Sequence, residues 1–327
     1  MLGEDMIECY AAGAANPPKR CVNTDRTLRS SVKFDRQELD DAEIRGLDTT
    51  LPSTALKPNG LETLVPAEIE RALSDTWRGH VSVEAVATTG STNEDLMLRA
   101  RVEQPAGCLL RAADVQTHGR GRQARVWRAA PGDGLLFSVS VPVSSVPPSL
   151  PAITLACGVA LAECLAAHHV AVNLKWPNDI RVRGRKLAGI LTELVVDRMA
   201  RYTLVIGVGM NLRLSQAERH EIGVPAIGLE ELLRSTVDRN REQWLGRLGS
   251  AILTAADEFI RDGFDPFCLR FNQLLEARGE VVDVIDGNQN AASGRIVEVD
   301  RFGRLIVESE GVTRRVSVGD ISLRVRP

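Results

Sequence analysis

The chain has 327 residues, too many for one small core and enough for two domains and a tail, and 44% are hydrophobic, as in a soluble globular protein. Forty basic against forty-three acidic side chains leave a net charge of -3, so the chain-wide balance requires neither a nucleic acid nor a membrane surface as partner. The acidic start (Glu4, Asp5, Glu8) is not that of a signal peptide, and no apolar stretch is expected to reach the roughly 20 residues of a spanning helix, so the sequence predicts a cytoplasmic protein.

Residues 1–60 stand apart, with ten acidic and eight basic side chains, few large apolar ones and prolines at 17, 18, 52 and 58. Such a segment is expected to be largely disordered, and its negative balance argues against a DNA partner. From Leu61 the pattern tightens. Pro66–Leu73 reads as a short helix and Val81–Val86 as a strand; Ser91-Thr92-Asn93-Glu94 has capping-box spacing before a helix reaching Val102. Cys108–Ala113 is an expected strand running into Gln116-Thr117-His118-Gly119-Arg120-Gly121-Arg122-Gln123-Ala124-Arg125-Val126-Trp127. Arginines offer paired donors to a carboxylate or phosphate, and glycines let backbone approach it closely; an Arg-Gly loop can equally be a solvated turn.

Leu135–Val141 reads as a strand and Pro151–His168 as an alanine-rich helix. Four strands follow (Val172–Trp176, Ile180–Val182, Lys186–Val195, Tyr202–Val208), with Arg183-Gly184 as a hairpin turn. Helices are expected over Arg239–Asp262 and Pro266–Leu275. Beyond Gly279 four short strands (Val281–Ile285, Gly294–Val299, Leu305–Glu308, Arg314–Val318), with turns at Asp286-Gly287 and Arg301-Phe302-Gly303, suggest a small β barrel. Six scattered cysteines without a C-x-x-C pair read as reduced, mostly core residues.

Five segments in order, Gly90-Ser91-Thr92-Asn93-Glu94, the arginine loop, Lys175-Trp176-Pro177-Asn178-Asp179, Arg185-Lys186-Leu187-Ala188-Gly189-Ile190-Leu191 and Gly207-Val208-Gly209-Met210-Asn211, resemble the motifs of biotin protein ligases. The resemblance runs from about Leu61 to the C-terminus. It implies an α+β fold: a class II synthetase-like biotin/lipoate ligase catalytic domain over 61–278, a mixed sheet with flanking helices, followed by an SH3-like barrel over 279–327. It also implies an ATP-dependent ligase that forms biotinyl-5'-adenylate from biotin and MgATP and passes biotin to a lysine of the biotin carboxyl carrier domain of acetyl-CoA carboxylase. A homodimer is left open.

The resemblance assigns biotin to Ser91, Thr92, Asn93, Gln116, Arg120, Gly121, Arg122 and Lys186. It assigns ATP to Arg122, Arg125, Trp127, Asn178, Asp179 and Asn211, with Asp179 as the group suited to Mg²⁺. Lys186 and Arg122 carry the chemistry, as cations beside the biotin carboxylate and the α-phosphate. Each has a plainer reading: Trp127 as an ordinary core tryptophan, Lys186 as a solvated hairpin charge, Asn178 and Asp179 as turn caps, Ser91 to Glu94 as a capping box that needs no ligand. Two departures from the family pattern stand in the loop, Ala124 where glycine is usual and His118 where a small residue is usual. No base is required of His118, because a carboxylate nucleophile is already ionised at neutral pH.

Three rivals are weaker. A lipoate protein ligase would carry an Arg-Arg-x-x-Gly-Gly-Gly loop, which is absent; a biotin-responsive repressor needs a basic helix-turn-helix, which residues 1–60 do not offer; a non-catalytic biotin-binding module would not need Lys186, Arg122 and Asp179 together.

Overall fold

A computed structural model of the chain describes residues 63–102, 107–233, 239–286, 289–317 and 321–325. The expectation for residues 1–60 lies outside them. Seven strands form one mixed sheet in the order β1-β2-β3-β7-β6-β5-β4: β1 (Val81–Thr89), β2 (Cys108–Gln116), β3 (Gly134–Val143), β4 (Asn173–Lys175), β5 (Asp179–Val182), β6 (Arg185–Val196) and β7 (Tyr202–Asn211). Only β1 and β2 are parallel; every other pair is antiparallel.

The two faces of this sheet are set by strand alternation. Along β7, Leu204, Ile206, Val208 and Met210 enter the main core, and along β3 so do Leu135, Phe137, Val139 and Val141. That core is closed by α1 (Pro66–Ala72), α3 (Ile153–Ala167), α5 (Arg241–Asp262) and α6 (Asp265–Leu274). Asn240 caps α5 by accepting from the Gln243 amide at 2.8 Å. On the opposite face α2 (Thr92–Val102) covers a smaller cluster of Leu96, Ala100, Val195 and Val205. On that face Ser138 is polar and Gly189, Gly207 and Gly209 lack side chains, while Leu136, paired with Gly209, is buried; the candidate site lies over the bare positions.

Two expectations are corrected here, and one helix is added. The stretch Leu150–Ala167 does meet the length and apolarity of a spanning helix, with a mean hydropathy of 1.9, and 61% of it is buried inside the fold, where it packs on α5, α6 and the sheet. A helix not anticipated, α4 (Gln216–Glu221), is closed by a Ser215–Glu218 capping box, with the Glu218 amide 3.2 Å from Ser215 Oγ and the Ser215 amide 2.8 Å from Glu218 Oε2. At the N-terminus of α2 the expected box is replaced: the Thr92 amide donates to Gln116 Oε1 at 2.8 Å, and Glu94 pairs with Arg120. The expected thiols are confirmed at Cys108, Cys157, Cys164 and Cys268, and burial pushes Cys157 up to about 12 and Cys164 to about 11, well out of the reactive range.

The C-terminal region forms a five-stranded antiparallel sheet where four strands were expected, in the order β11-β10-β9-β8-β12. Its strands are β8 (Val281–Asp286), β9 (Gln289–Val299), β10 (Leu305–Ser309), β11 (Val312–Val316) and β12 (Ile321–Val325). The β9–β10 turn presses into the larger domain: Gly303 O accepts from Trp176 Nε1 at 3.0 Å, and a Cβ at Gly303 would lie 2.5 Å from that of Ala152. Asn272 on α6 adds two bonds to the Val299 backbone, at 2.8 and 2.7 Å.

Asp300 holds this turn in shape, accepting from the amides of Phe302 (2.9 Å) and Arg304 (3.0 Å) and from Arg304 Nε (2.8 Å). Burial alone would raise the Asp300 carboxyl, but the Arg304 side chain and the two amides outweigh it and hold it below the usual carboxylate value. A lowered folded value means stabilisation that is full above the unfolded value and lost as pH falls through the folded one. Asp300→Asn is therefore expected to cost about 1–3 kcal/mol at neutral pH, with the gap to wild type closing on acidification. Chemical denaturation of both proteins between pH 7 and pH 3 checks this; a gap that stays constant would refute the role given to the carboxylate.

Candidate active site

Gly189 on β6 and Gly209 on β7 face each other in register and form a patch of bare backbone. The Trp127 indole lies over it: a Cβ at Gly209 would sit 2.5 Å from Trp127 Cε2, and one at Gly189 would be 3.4 Å from Trp127 Cζ3. Two residues along the same face of β7, a Cβ at Gly207 would lie 2.1 Å from Asn93 Oδ1. One strand thus has two missing side chains, one admitting an indole and the other an amide.

The arginine loop is a narrow hairpin rather than a free turn. Trp127 N–H donates to Gly119 O at 2.8 Å, Gly121 N–H to Arg125 O at 2.7 Å, and Arg120 bridges to Val126. At its tip Gln123 and Ala124 both have left-handed φ, 55° and 54°. A glycine at position 124 would adopt this backbone freely, and alanine bears a cost there of about 1 kcal/mol. Arg120 is exposed and paired with Glu94, Arg125 is exposed, and Arg122 is half-buried with Nη1 3.4 Å from Asn178 Oδ1. Trp127 Nε1 is buried without a partner, a donor left over for a ligand.

Lys186 comes to the same place from the other side. Its Nζ is 5.4 Å from the centre of the Trp127 ring and 2.7 Å from Asp179 Oδ1, with both side chains about one quarter exposed (22% and 23%). Its backbone is clamped by a strap from the α4 region, its N–H donating to Pro225 O at 2.7 Å and its carbonyl accepting from Ile227 at 2.9 Å. Asp179 faces Lys175 across the β4–β5 pair. Burial, with Arg181 in the same direction, holds the Lys175 ammonium below its usual value, while Asp179 opposes the shift.

The polar end of the cleft is built from α2, β2 and β3. Thr92 Oγ1 lies 2.7 Å from Ser138 Oγ and 3.2 Å from Gln116 Oε1; Ser138 Oγ is 2.6 Å from Asn93 Oδ1. Asn93 Nδ2 reaches Glu193 Oε2 at 2.8 Å and Leu191 O at 3.4 Å. Ser91, Thr92 and Asn93 are all buried.

Eight of the expected site residues fall into two groups, while Arg120 and Arg125 stay exposed. Lys186, Asp179, Trp127, Arg122 and Asn178 converge, and Thr92, Gln116 and Asn93 form a polar cluster on the same sheet face. Asn178 and Asn211 spend their amides on the protein: Asn178 Nδ2 binds Ile190 O at 3.1 Å, and Asn211 Nδ2 lies 3.3 Å from Lys186 O and 3.4 Å from Ile227 O. Of the plainer readings, the solvated hairpin charge does not describe Lys186 and the ordinary core residue does not describe Trp127. Sequence reasoning missed Ser138, Glu193 and the Pro225–Ile227 strap, none of which lies in a motif.

Among the described residues no group of three or more His, Cys, Asp and Glu could hold a metal. The Asp179 carboxylate, outside any such group, suits a Mg²⁺ that would keep phosphate oxygens and waters as its other ligands. What the arrangement can do is stabilise negative charge between Lys186 and Arg122, with a flat apolar surface beside it and neutral hydrogen-bonding groups farther along.

Comparison with known proteins bears on this geometry. The model of the biotin/lipoate A/B protein ligase family matches residues 85–211, and that of the biotin protein ligase C-terminal domain matches residues 279–324. A biotin--[acetyl-CoA-carboxylase] ligase of Mycobacterium tuberculosis is 34% identical over 273 residues, 80% of this chain and 97% of its own length. The bifunctional ligase/repressor BirA of Escherichia coli is 29% identical over 245 residues, 74% of each chain. Among solved structures, the biotin protein ligase of Aquifex aeolicus in complex with biotin and ATP superposes with a TM-score of 0.61 at 26% identity, covering 75% of this chain and 99% of that one. A mixed sheet with its cleft between α2 and the glycine pair, a small β domain behind it and this agreement along the sequence place the chain in the biotin protein ligase family.

Proposed function

We propose that the chain joins biotin to a protein lysine in two steps. A biotin carboxylate oxygen attacks the α-phosphorus of MgATP, releasing pyrophosphate; the amine of a carrier lysine then attacks the acyl carbonyl of the mixed anhydride, releasing AMP. The observation that carries the reading is the meeting of Lys186 Nζ and the Trp127 indole over the Gly189–Gly209 floor, with Arg122 alongside. Lys186 and Arg122 stabilise the charge that builds around the α-phosphate, Arg120 and Gly121 line the loop over the acyl chain, Arg125 reaches the phosphates, and Trp127 carries the adenine. Asp179 helps hold the magnesium of MgATP, and Asn178 and Asn211 shape the nucleotide side by fixing the backbone around Lys186 and Ile190.

The carrier we assign is the biotin carboxyl carrier domain of acetyl-CoA carboxylase; the name of the mycobacterial relative supports this in giving acetyl-CoA carboxylase as the protein acted on. The catalytic domain ends near Arg278, where the second family match begins. Intact mass of a purified carrier domain tests the reading: one biotin should be gained only when biotin, ATP and Mg²⁺ are all present. No gain with biotin, and efficient transfer of lipoate instead, would overturn it.

A further inference from the structure

The hydrogen bonds behind Thr92 have only one consistent direction. Glu193, as a carboxylate, and Leu191 O are acceptors, so the Asn93 amide must turn its NH₂ toward them and its oxygen toward Ser138. Ser138 has a single hydroxyl proton and must spend it on Asn93 Oδ1, 2.6 Å away. The 2.7 Å contact between Ser138 and Thr92 can then be made only by the Thr92 proton. Gln116 Oε1, farther from Thr92 Oγ1 at 3.2 Å, already accepts the Thr92 amide at 2.8 Å. The Thr92 hydroxyl is left with lone pairs and no proton for a ligand, and Gln116 is left with its NH₂.

We infer that Ser138, Asn93 and Glu193 are positioning residues that fix the Thr92 hydroxyl as an obligate acceptor, so that the site selects a ligand ring presenting an N–H there and rejects one presenting an oxygen. Ser138 is fully buried and Asn93 nearly so, so water has little room to supply a missing proton. Resting on the assignment of biotin to this cleft, the inference specifies the polarity of its ureido recognition: an N–H against Thr92, with the Gln116 NH₂ available to a carbonyl. A buried acceptor facing another acceptor loses one bond and leaves two groups unsatisfied, so rejection is strong relative to the small change in shape.

The test uses the full chain and three ligands in calorimetry: biotin and its two carbamate analogues, in which one or the other ureido N–H is replaced by ring oxygen. Wild type is expected to bind one carbamate about 10- to 100-fold more weakly than biotin. Ser138→Ala frees the Thr92 proton, so biotin binding weakens while the gap to that carbamate narrows by at least about tenfold. A merely structural role would weaken all three ligands together and keep the ratios. Thr92→Val, isosteric and without the acceptor, should also collapse the gap and serves if Ser138→Ala does not fold. Wild type binding both carbamates as well as biotin, or either variant keeping the wild-type ratios, overturns the inference. Failure of wild type to bind biotin at all would instead be a failure of the proposed function.

Discussion

Lys186→Ala is expected to slow the biotin-dependent exchange of labelled pyrophosphate into ATP by about 10²- to 10³-fold, the usual effect of removing one preorganised charge from a site where charge develops. Two features raise the expectation above that for an ordinary surface lysine. The Nζ is already held, by Asp179 at 2.7 Å and by the face of Trp127, so its position costs little ordering when substrate arrives. Its backbone is strapped on both sides by Pro225 and Ile227, so the strand cannot shift to bring another cation in. Lys186→Arg should not restore the rate, because a planar guanidinium does not fit the place of a compact ammonium. Global stability should change by under about 1 kcal/mol, since the Lys186–Asp179 pair is partly exposed, and this separates a chemical from a folding defect. Exchange at the wild-type rate in Lys186→Ala would remove the residue from the mechanism.

The two glycines of β7 should divide the substrates between them. Gly207→Ala drives a methyl into the Asn93 amide, and Gly209→Ala drives one into the middle of the Trp127 indole. Overpacking of this kind typically costs about 1–3 kcal/mol, or roughly tenfold to hundredfold in affinity. Gly207→Ala is therefore expected to raise KM for biotin with little change in KM for ATP, and Gly209→Ala the reverse. Steady-state kinetics with each substrate varied in turn would show the split. Equal damage to both constants in both variants would mean that the strand, and not its two neighbours, had been disturbed.

How much of this could be read from the sequence depends on whether a feature is local. The β5–β6 hairpin was legible because Arg183 and Gly184 must both adopt positive φ, 49° and 74°, and Gly184 marks the turn. Strands β3, β6 and β7 were legible from their apolar runs, and α5 from its helical periodicity. The α4 helix was overlooked although Ser215 and Glu218 carry a box signal, and β12 although Ile321, Leu323 and Val325 alternate. Ser138 and Glu193 are different. Their importance comes from β3 and β6 flanking β7, which brings both to one amide at Asn93. No spacing along the chain encodes that register, and a serine in an apolar strand gives no signal of its own. The family motifs did mark Asn93 and Asn178, but not that their amides would be occupied by the protein itself.

The contact between Trp176 and Gly303 gives the small β domain a bearing on the nucleotide side of the cleft. Trp176 sits directly before Pro177, Asn178 and Asp179, and its indole N–H is anchored on a backbone carbonyl of the other domain. Gly303 can come that near only because it has no side chain, and Ala152 behind it has no room to retreat. The β9–β10 turn is thus a keystone for the segment that bears Asp179. Substitutions accumulating in the small domain would be filtered by their effect on a lysine–aspartate pair they never touch, and the two domains would be expected to diverge together, as one inherited unit, rather than to be exchanged between relatives piece by piece.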